Sequence, residues 1–150
     1  MGLTEPLLYS QALNYLKSLS LNGVSVNILS FEKKEFLTKN NISDIKEDLN
    51  KSGIKWFFLT YHKKFQCLSK PYDIVRGMIF VIYISLKEHV DIIHARSTLC
   101  VLMGSISFFL LRQKMIFDMR GLMAEEYADA GLWKRDSFIY KFVSRLERYF

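Results

Sequence analysis

Hydrophobic and polar positions follow two different periods along the chain, and together they predict alternating strands and helices. Apolar residues spaced three and four apart predict a helix that Pro71 opens, and this spacing recurs in several other segments. Short apolar runs rich in β-branched and aromatic residues predict strands over 24–31, 54–61, 90–94 and 115–118. A helical segment separates each strand from the next, which is typical of parallel strands joined by right-handed crossovers. We therefore expect an α/β fold, a Rossmann-like doubly wound parallel sheet with helices on both faces.

The predicted helices differ in how much of their surface is apolar. Two nearly continuous apolar helices, over 77–86 and 99–111, are expected to be buried against the sheet. Each is shorter than the about 20 residues that a membrane-spanning helix needs. The last helix follows a predicted cap at Asp136 and has an apolar side formed by Phe138, Phe142, Val143, Leu146 and Tyr149. We expect that side to pack in the core, with contact to a lipid surface or to a further domain as the alternatives.

Both ends of the sequence predict an incomplete domain. No strand precedes the first helix, which Ser10 is expected to cap, and the chain stops inside the last helix. In a doubly wound sheet the strand that is missing from the start is the central one. We therefore expect residues 1–150 to form a single domain that lacks its first, central strand and is cut at both ends.

Composition and charge narrow the classes of partner. Half of the 150 residues are hydrophobic, which is enough for a substantial core. The net charge of +6 favours anionic partners, but the basic residues are scattered, so a nucleic-acid groove is not expected. The first residues have neither the basic start nor the apolar run of a secretory signal. Cys67 and Cys100 match no metal or redox spacing and are expected to be buried free thiols. These features indicate a cytoplasmic location, with peripheral contact at the inner face of the membrane as a further option.

Polar side chains stand at the carboxyl ends of two consecutive predicted strands. The first stretch is VDIIHARS, over 90–97, and the second is KMIFDMRG, over 114–121. The side chains concerned are His94, Arg96, Ser97, Asp118 and Arg120. Ligands of open parallel sheets bind outside this edge, so we expect the two stretches to share one crevice.

Most of these residues have a structural explanation beside a functional one. A neutral His94 imidazole can accept or donate a proton near pH 7, or it can be a half-solvated residue at a strand end. Arg96 can bind a phosphate or carboxylate through its planar guanidinium, or it can pair with Asp91 or Asp118. Ser97 is expected to be the N-cap of the next helix rather than a nucleophile, which places a helix N-terminus at the crevice.

Three stretches, taken together, resemble the N-terminal domain of GT-B glycosyltransferases of the family 4 type. The first loop, first helix and second strand of that domain are similar to GLTEPLLYSQALNYLKSLSLNGVSVNILSFEKKE. The end of its fourth strand is similar to DIIHARS. Its fifth strand and the segment after it are similar to IFDMRGLMAEEYADAGLW and a helix containing RLER. The resemblance covers nearly the whole chain, although Arg96 stands where some relatives have a second histidine.

The resemblance implies two Rossmann-like domains that face each other across a cleft. In that family the N-terminal domain binds the acceptor and the C-terminal domain binds a nucleoside diphosphate sugar. The enzyme transfers a hexose with retention to a glycan, a lipid-linked sugar or a small molecule, generally without a bound metal. For this chain the resemblance implies one candidate catalytic residue, His94, which contacts the transferred sugar or the acceptor hydroxyl. The acceptor-binding residues that it implies are Gly2, Thr4, Glu5, Arg96, Ser97, Asp118 and Arg120. Asp118 and Arg120 are also expected to form one charge pair, with the orientation of an acceptor hydroxyl by Asp118 as the alternative.

The resemblance also implies what the chain needs as partners. Relatives have a strand before the first loop and a donor-binding domain, and neither is in these residues. We therefore expect the acceptor-side fragment of a polysaccharide-biosynthesis transferase, inactive by itself and binding no cofactor or metal. Its partners are a sugar acceptor and the missing C-terminal donor domain. The alternative is a stand-alone, non-catalytic α/β module that binds an anionic ligand or a protein partner in the same crevice.

Overall fold

The computed structural model describes residues 2–4, 6–62 and 66–150, which divide into two compact units. The first unit is Met1–Asp73 and the second is Ile74–Phe150. The elements of the first unit are α1 (Pro6–Leu21), β1 (Asn27–Glu32), a 3-10 turn (Lys34–Phe36), α2 (Lys39–Lys51) and β2 (Lys55–Thr60). Helix α3 (Gln66–Lys87) contains the boundary. The elements of the second unit are β3 (Ile92–Ala95), α4 (Thr98–Leu111), β4 (Lys114–Phe117), α5 (Met123–Asp129) and α6 (Phe138–Tyr149).

The first unit is built on the parallel pair β1–β2. Asn27 lies opposite Lys55 and Glu32 lies opposite Thr60. The core cluster beside this pair consists of Leu3, Leu13, Val26, Leu49, Ile54 and Trp56. Each fully buried aliphatic side chain of this kind contributes about 1.5–3 kcal/mol to folding. Gly53 ends the turn after α2 with a φ of +69°, a conformation that glycine adopts without strain.

The second unit is built on the parallel pair β3–β4, with α4 as its crossover. Ile92 lies opposite Lys114 and Ala95 lies opposite Phe117. Helix α4 approaches the pair closely at Gly104, where an added Cβ would lie 3.2 Å from side-chain atoms of Ile93 and Met115. The strands described in the two units thus form two parallel pairs, each with a helical crossover, and the α/β class is confirmed.

Buried polar groups join the elements of the second unit. Ser107 is fully buried in α4, and its hydroxyl donates to the Gln113 side chain at 2.7 Å. Gln113 in turn donates to the Val90 carbonyl, just before β3. The buried Glu147 of α6 accepts from the Thr98 hydroxyl at 2.8 Å and from the backbone N–H of Met123 at 2.7 Å. One carboxylate therefore links α6 to the first residues of both α4 and α5.

Several helices differ from the sequence prediction at their starts. Helix α3 begins at Gln66, so Pro71 lies inside it rather than opening it, and its ring removes one helical hydrogen bond. Helix α1 begins at Pro6, ahead of Ser10. Ser137, not Asp136, is the N-cap of α6, because its side chain accepts from the backbone N–H of Tyr140.

The apolar faces of three helices are more exposed than the sequence predicts. Val75, Ile79 and Leu86 of α3 and Phe109 and Leu110 of α4 are all exposed. On α6 Val143 is buried, whereas Phe138, Phe142 and Tyr149 are exposed. The predicted burial of Cys100 is also wrong, because this free cysteine is exposed. Periodicity identifies an apolar face, but it does not determine what covers that face.

No helix in the described ranges is both long and apolar enough to cross a lipid bilayer.

Candidate functional site

The parallel register of β3 and β4 places the two predicted polar stretches side by side. Ala95 and Phe117, the last residues of the two strands, are directly opposite each other. The backbone N–H of Asp118 continues the ladder by donating to the Ala95 carbonyl at 2.9 Å. Side chains that follow the strands, those of Arg96 and Asp118, therefore leave the sheet at the same edge.

Asp118 is the centre of a small group of charges at this edge. Its Oδ2 accepts from Arg96 Nε at 2.9 Å. Arg120 Nε lies 3.6 Å from the same oxygen, and His94 Nε2 lies 4.0 Å from it. The Asp118 side chain is 34% exposed, so solvent can reach this group of charges. The structure thus brings together four of the predicted residues, and two guanidinium groups share one carboxylate.

Arg96 has hydrogen-bonding capacity that the protein does not use. Its side chain is 16% exposed, and its Nη1 is a buried nitrogen with no hydrogen-bond partner. Buried polar atoms are nearly always paired, because leaving one unpaired costs about 1–3 kcal/mol. An oxygen atom that reached this guanidinium would satisfy it.

Ser97 links the edge to the next helix. Its side chain accepts from the backbone N–H of Cys100, so Ser97 is the N-cap of α4, as the sequence predicts. Its φ is +138° and its ψ is 161°, a region that is essentially reserved for glycine. Such a conformation costs a side-chain-bearing residue about 1–3 kcal/mol and is most often found at ligand sites.

The other predicted residues lie in the first unit. The backbone N–H groups of Leu3 and Thr4 donate to Glu32 at 2.6 and 3.1 Å, and the Thr4 hydroxyl also donates to it. Gly2 is buried against the same carboxylate, and an added Cβ would lie 2.0 Å from its Oε2. Glu5 lies outside the described residues. Glu32 itself is fully buried, and it is not among the predicted site residues. It directly follows the predicted strand over 24–31, and that position could have identified it.

A histidine–aspartate pair at the end of β2 was also missed. His62 Nδ1 lies 2.7 Å from Asp73 Oδ1, and the His62 backbone N–H donates to Asp73 Oδ2 at 3.0 Å. Asp73 is buried, while the imidazole is partly exposed and packs edge-on against Tyr72. Since a carboxylate only accepts, Nδ1 is assigned as protonated. The position of His62 just after an apolar strand is the same signal that identified the Asp118 edge.

In the part of the chain that the structure describes, no group of three or more histidine, cysteine, aspartate or glutamate side chains is placed to hold a metal ion.

No protein-family model matches the chain, and no curated protein or solved structure matches it either.

Proposed function

We propose that the chain is the acceptor-binding domain of a retaining glycosyltransferase that moves a hexose from a nucleoside diphosphate sugar. The observation that carries this proposal is the group of Arg96, Asp118 and His94 at the shared carboxyl edge of β3 and β4. This is the edge at which parallel α/β sheets bind ligands. The resemblance of the sequence to family 4 transferases supplies the reaction, and the geometry supports a binding role for these residues.

The strand pairing supports the doubly wound part of the proposal. A doubly wound sheet has the strand order 3-2-1-4-5-6, in which strands 2 and 3 pair on one side of strand 1 and strands 4 and 5 pair on the other. With strand 1 left out, two parallel pairs remain, each joined by a helix. The pairs β1–β2 and β3–β4 follow this pattern. We propose that they correspond to strands 2–3 and 4–5 of such a sheet.

In the proposed site, different residues bind the acceptor and accept its proton. Arg96 binds an anionic group of the acceptor, and Asp118 holds Arg96 in place from the neighbouring strand end. In the transfer, the acceptor hydroxyl oxygen bonds to the anomeric carbon, the bond from that carbon to the nucleoside diphosphate breaks, and the hydroxyl proton leaves. His94 is the candidate acceptor of that proton, because its ring lies beside Asp118 and is partly exposed. The donor sugar is held by a second Rossmann-like domain, and this chain alone does not catalyse transfer.

A second candidate function is a non-catalytic module that binds a simple anion. The unpaired Nη1 of Arg96 favours it, since a guanidinium group binds any phosphate. The two functions differ in whether the sugar contributes to binding.

Calorimetric titration of the 150-residue protein with glucose 1-phosphate, glucose and inorganic phosphate separates these functions. An acceptor site binds glucose 1-phosphate more tightly than either of its parts, and Arg96→Gln weakens that binding about tenfold or more. Arg112→Gln, at the other end of α4, is the matched control and leaves binding unchanged. Equal affinity for inorganic phosphate and glucose 1-phosphate would favour the anion module. If Arg96→Gln binds these ligands as tightly as the native protein, the site is neither an acceptor site nor an anion site, and both proposed functions are overturned.

A further inference from the structure

The outward face of α6 carries two adjacent stripes of different chemistry. An aromatic stripe consists of Phe138, Phe142 and Tyr149, all exposed. A basic stripe beside it consists of Lys141, Arg145 and Arg148, also exposed. Phe138 is the most exposed residue of the aromatic stripe, at 84%. Side chains of both stripes line an open groove of about 450 Å³.

Contacts on the opposite side of α6 determine which face points outward. Val143, Ser144 and Glu147 are buried. The Glu147 carboxylate accepts from Thr98 of α4 and Met123 of α5, so rotation of the helix would leave a buried charge without donors. The aromatic and basic stripes are therefore exposed in the folded unit, and their exposure does not depend on fraying of the helix.

The charges of the outward face all have one sign. Glu147 is the only acidic residue in Phe138–Tyr149, and it is buried. Phe138 and Phe142 lie nearly parallel, with ring centroids 6.3 Å apart and an interplanar angle of 14°, so these two rings form one apolar surface. A helix with aromatic side chains next to lysine and arginine is typical of segments that lie in the interface of a bilayer.

We propose that this face of α6 binds the surface of an anionic lipid bilayer. The rings of Phe138 and Phe142 enter the boundary between headgroups and acyl chains, and the basic stripe contacts lipid phosphates. A second copy of the chain is a poorer occupant, because a two-fold contact through this face would bring together two faces of the same charge. The overall charge of +6 adds to the attraction for an anionic surface.

Co-sedimentation of the full chain with vesicles tests this proposal. We expect binding to vesicles of phosphatidylcholine mixed with phosphatidylglycerol, weaker binding in high salt, and little binding to phosphatidylcholine alone. The double variant Lys141→Gln/Arg145→Gln should weaken binding roughly 25-fold, at about fivefold for each charge. The double variant Phe138→Ser/Phe142→Ser should weaken it about tenfold or more without unfolding the protein, because both rings are exposed.

Matched variants elsewhere in the chain control for loss of charge and of apolar surface. Lys51→Gln/Lys55→Gln removes two exposed lysines, and Ile79→Ser/Tyr83→Ser removes two exposed apolar residues of α3. Both should leave vesicle binding unchanged within about twofold. Equal binding to neutral and anionic vesicles, or equal losses in the control variants, would overturn the proposal. A dimer that Phe138→Ser/Phe142→Ser dissociates, in a protein that binds no vesicles, would assign the face to a second copy instead.

Discussion

Arg96 donates through Nε to Asp118 Oδ2 at 2.9 Å, and the two side chains extend from the ends of neighbouring parallel strands. The ion pair joins residues 22 positions apart, so it exists only once β3 and β4 have paired. It also leaves Arg96 Nη1 buried and without a partner. The same contact thus stabilises the edge of the sheet and leaves one guanidinium nitrogen without a hydrogen bond.

Asp118→Asn should lower the free energy of unfolding by about 1–2 kcal/mol, because the amide keeps the shape of the carboxylate but not its charge. Partial exposure of Asp118 keeps the loss below that of a fully buried ion pair. Denaturant titration measures the change. Asp91→Asn, an exposed carboxylate just before the start of β3, is the control and should be neutral. A neutral Asp118→Asn would show that the Arg96 contact does not stabilise the edge.

Two substitutions at Ser97 should change stability in opposite directions. Ser97→Ala removes the cap of α4 and keeps the unfavourable φ, so it should destabilise the protein by about 1 kcal/mol. Ser97→Gly loses little as a cap and removes the strain, so it should stabilise by about 1 kcal/mol or more. Thermal or denaturant unfolding of both variants measures the difference. If Ser97→Gly is the less stable of the two, the backbone at this position is not strained.

Glu32→Gln should be severely destabilising, by about 2–4 kcal/mol. The fully buried carboxylate accepts from Leu3, Thr4 and Ser30, and the amide NH₂ would face one of these donors. Denaturant titration measures the loss, and the exposed Asp44→Asn is the matched carboxylate-to-amide control. A loss no larger than that of Asp44→Asn would mean that Glu32 does not hold the 2–4 loop.

The contact between Glu125 and Tyr140 should be visible in the acid titration of the protein. The Tyr140 hydroxyl, followed by the Arg135 guanidinium, lowers the pKa of Glu125 below its ordinary value of 4.5. A lowered carboxyl pKa contributes stability that is fully present above about pH 4.5 and is lost as the pH falls through the lower folded value. Tyr140→Phe should raise the pKa of Glu125 toward 4.5, as measured by carbon NMR of its carboxyl group. An unchanged pKa would show that the hydroxyl does not donate to Glu125 in solution.

Asp73 should determine the tautomer of His62. In the native protein Nδ1 carries a proton, because it faces the buried carboxylate at 2.7 Å. Long-range proton–nitrogen NMR of the three histidines distinguishes the tautomers. Asp73→Asn should shift His62 toward a mixture of tautomers and leave His89 unchanged. A native His62 that carries its only proton on Nε2 would contradict the assignment.

The sequence predicts the secondary structure well where the hydrophobic pattern agrees with the turn and cap residues at the ends of an element. The four strands fall where the apolar runs and turn residues place them, with ends that differ by a few residues. Local rules also identify Ser97 as a cap. The predicted start of α3 at Pro71 is wrong, because a helix can continue through a proline at the loss of one hydrogen bond.

The candidate site was only partly predictable, for a different reason. Residues after β3 and β4 were found because parallel strands end at the same edge, and this rule does not depend on distant contacts. Glu32 and Glu147 were missed because most of their donors are distant in sequence. The backbone donors to Glu32 lie 28 and 29 positions away, and the Thr98 donor to Glu147 lies 49 positions away. Periodicity along a strand or helix does not show which carboxylate will be buried with distant hydrogen-bond donors. The exposed aromatic stripe of α6 was likewise expected in the core.

The most direct test of the proposed acceptor site is a proton–nitrogen NMR titration of the isotope-labelled 150-residue protein with glucose 1-phosphate. We expect saturable shifts of the backbone amides over 94–98 and 118–121, and the loss of these shifts in Arg96→Gln. Shifts confined to scattered surface lysines, or the same shifts in Arg96→Gln, would contradict it.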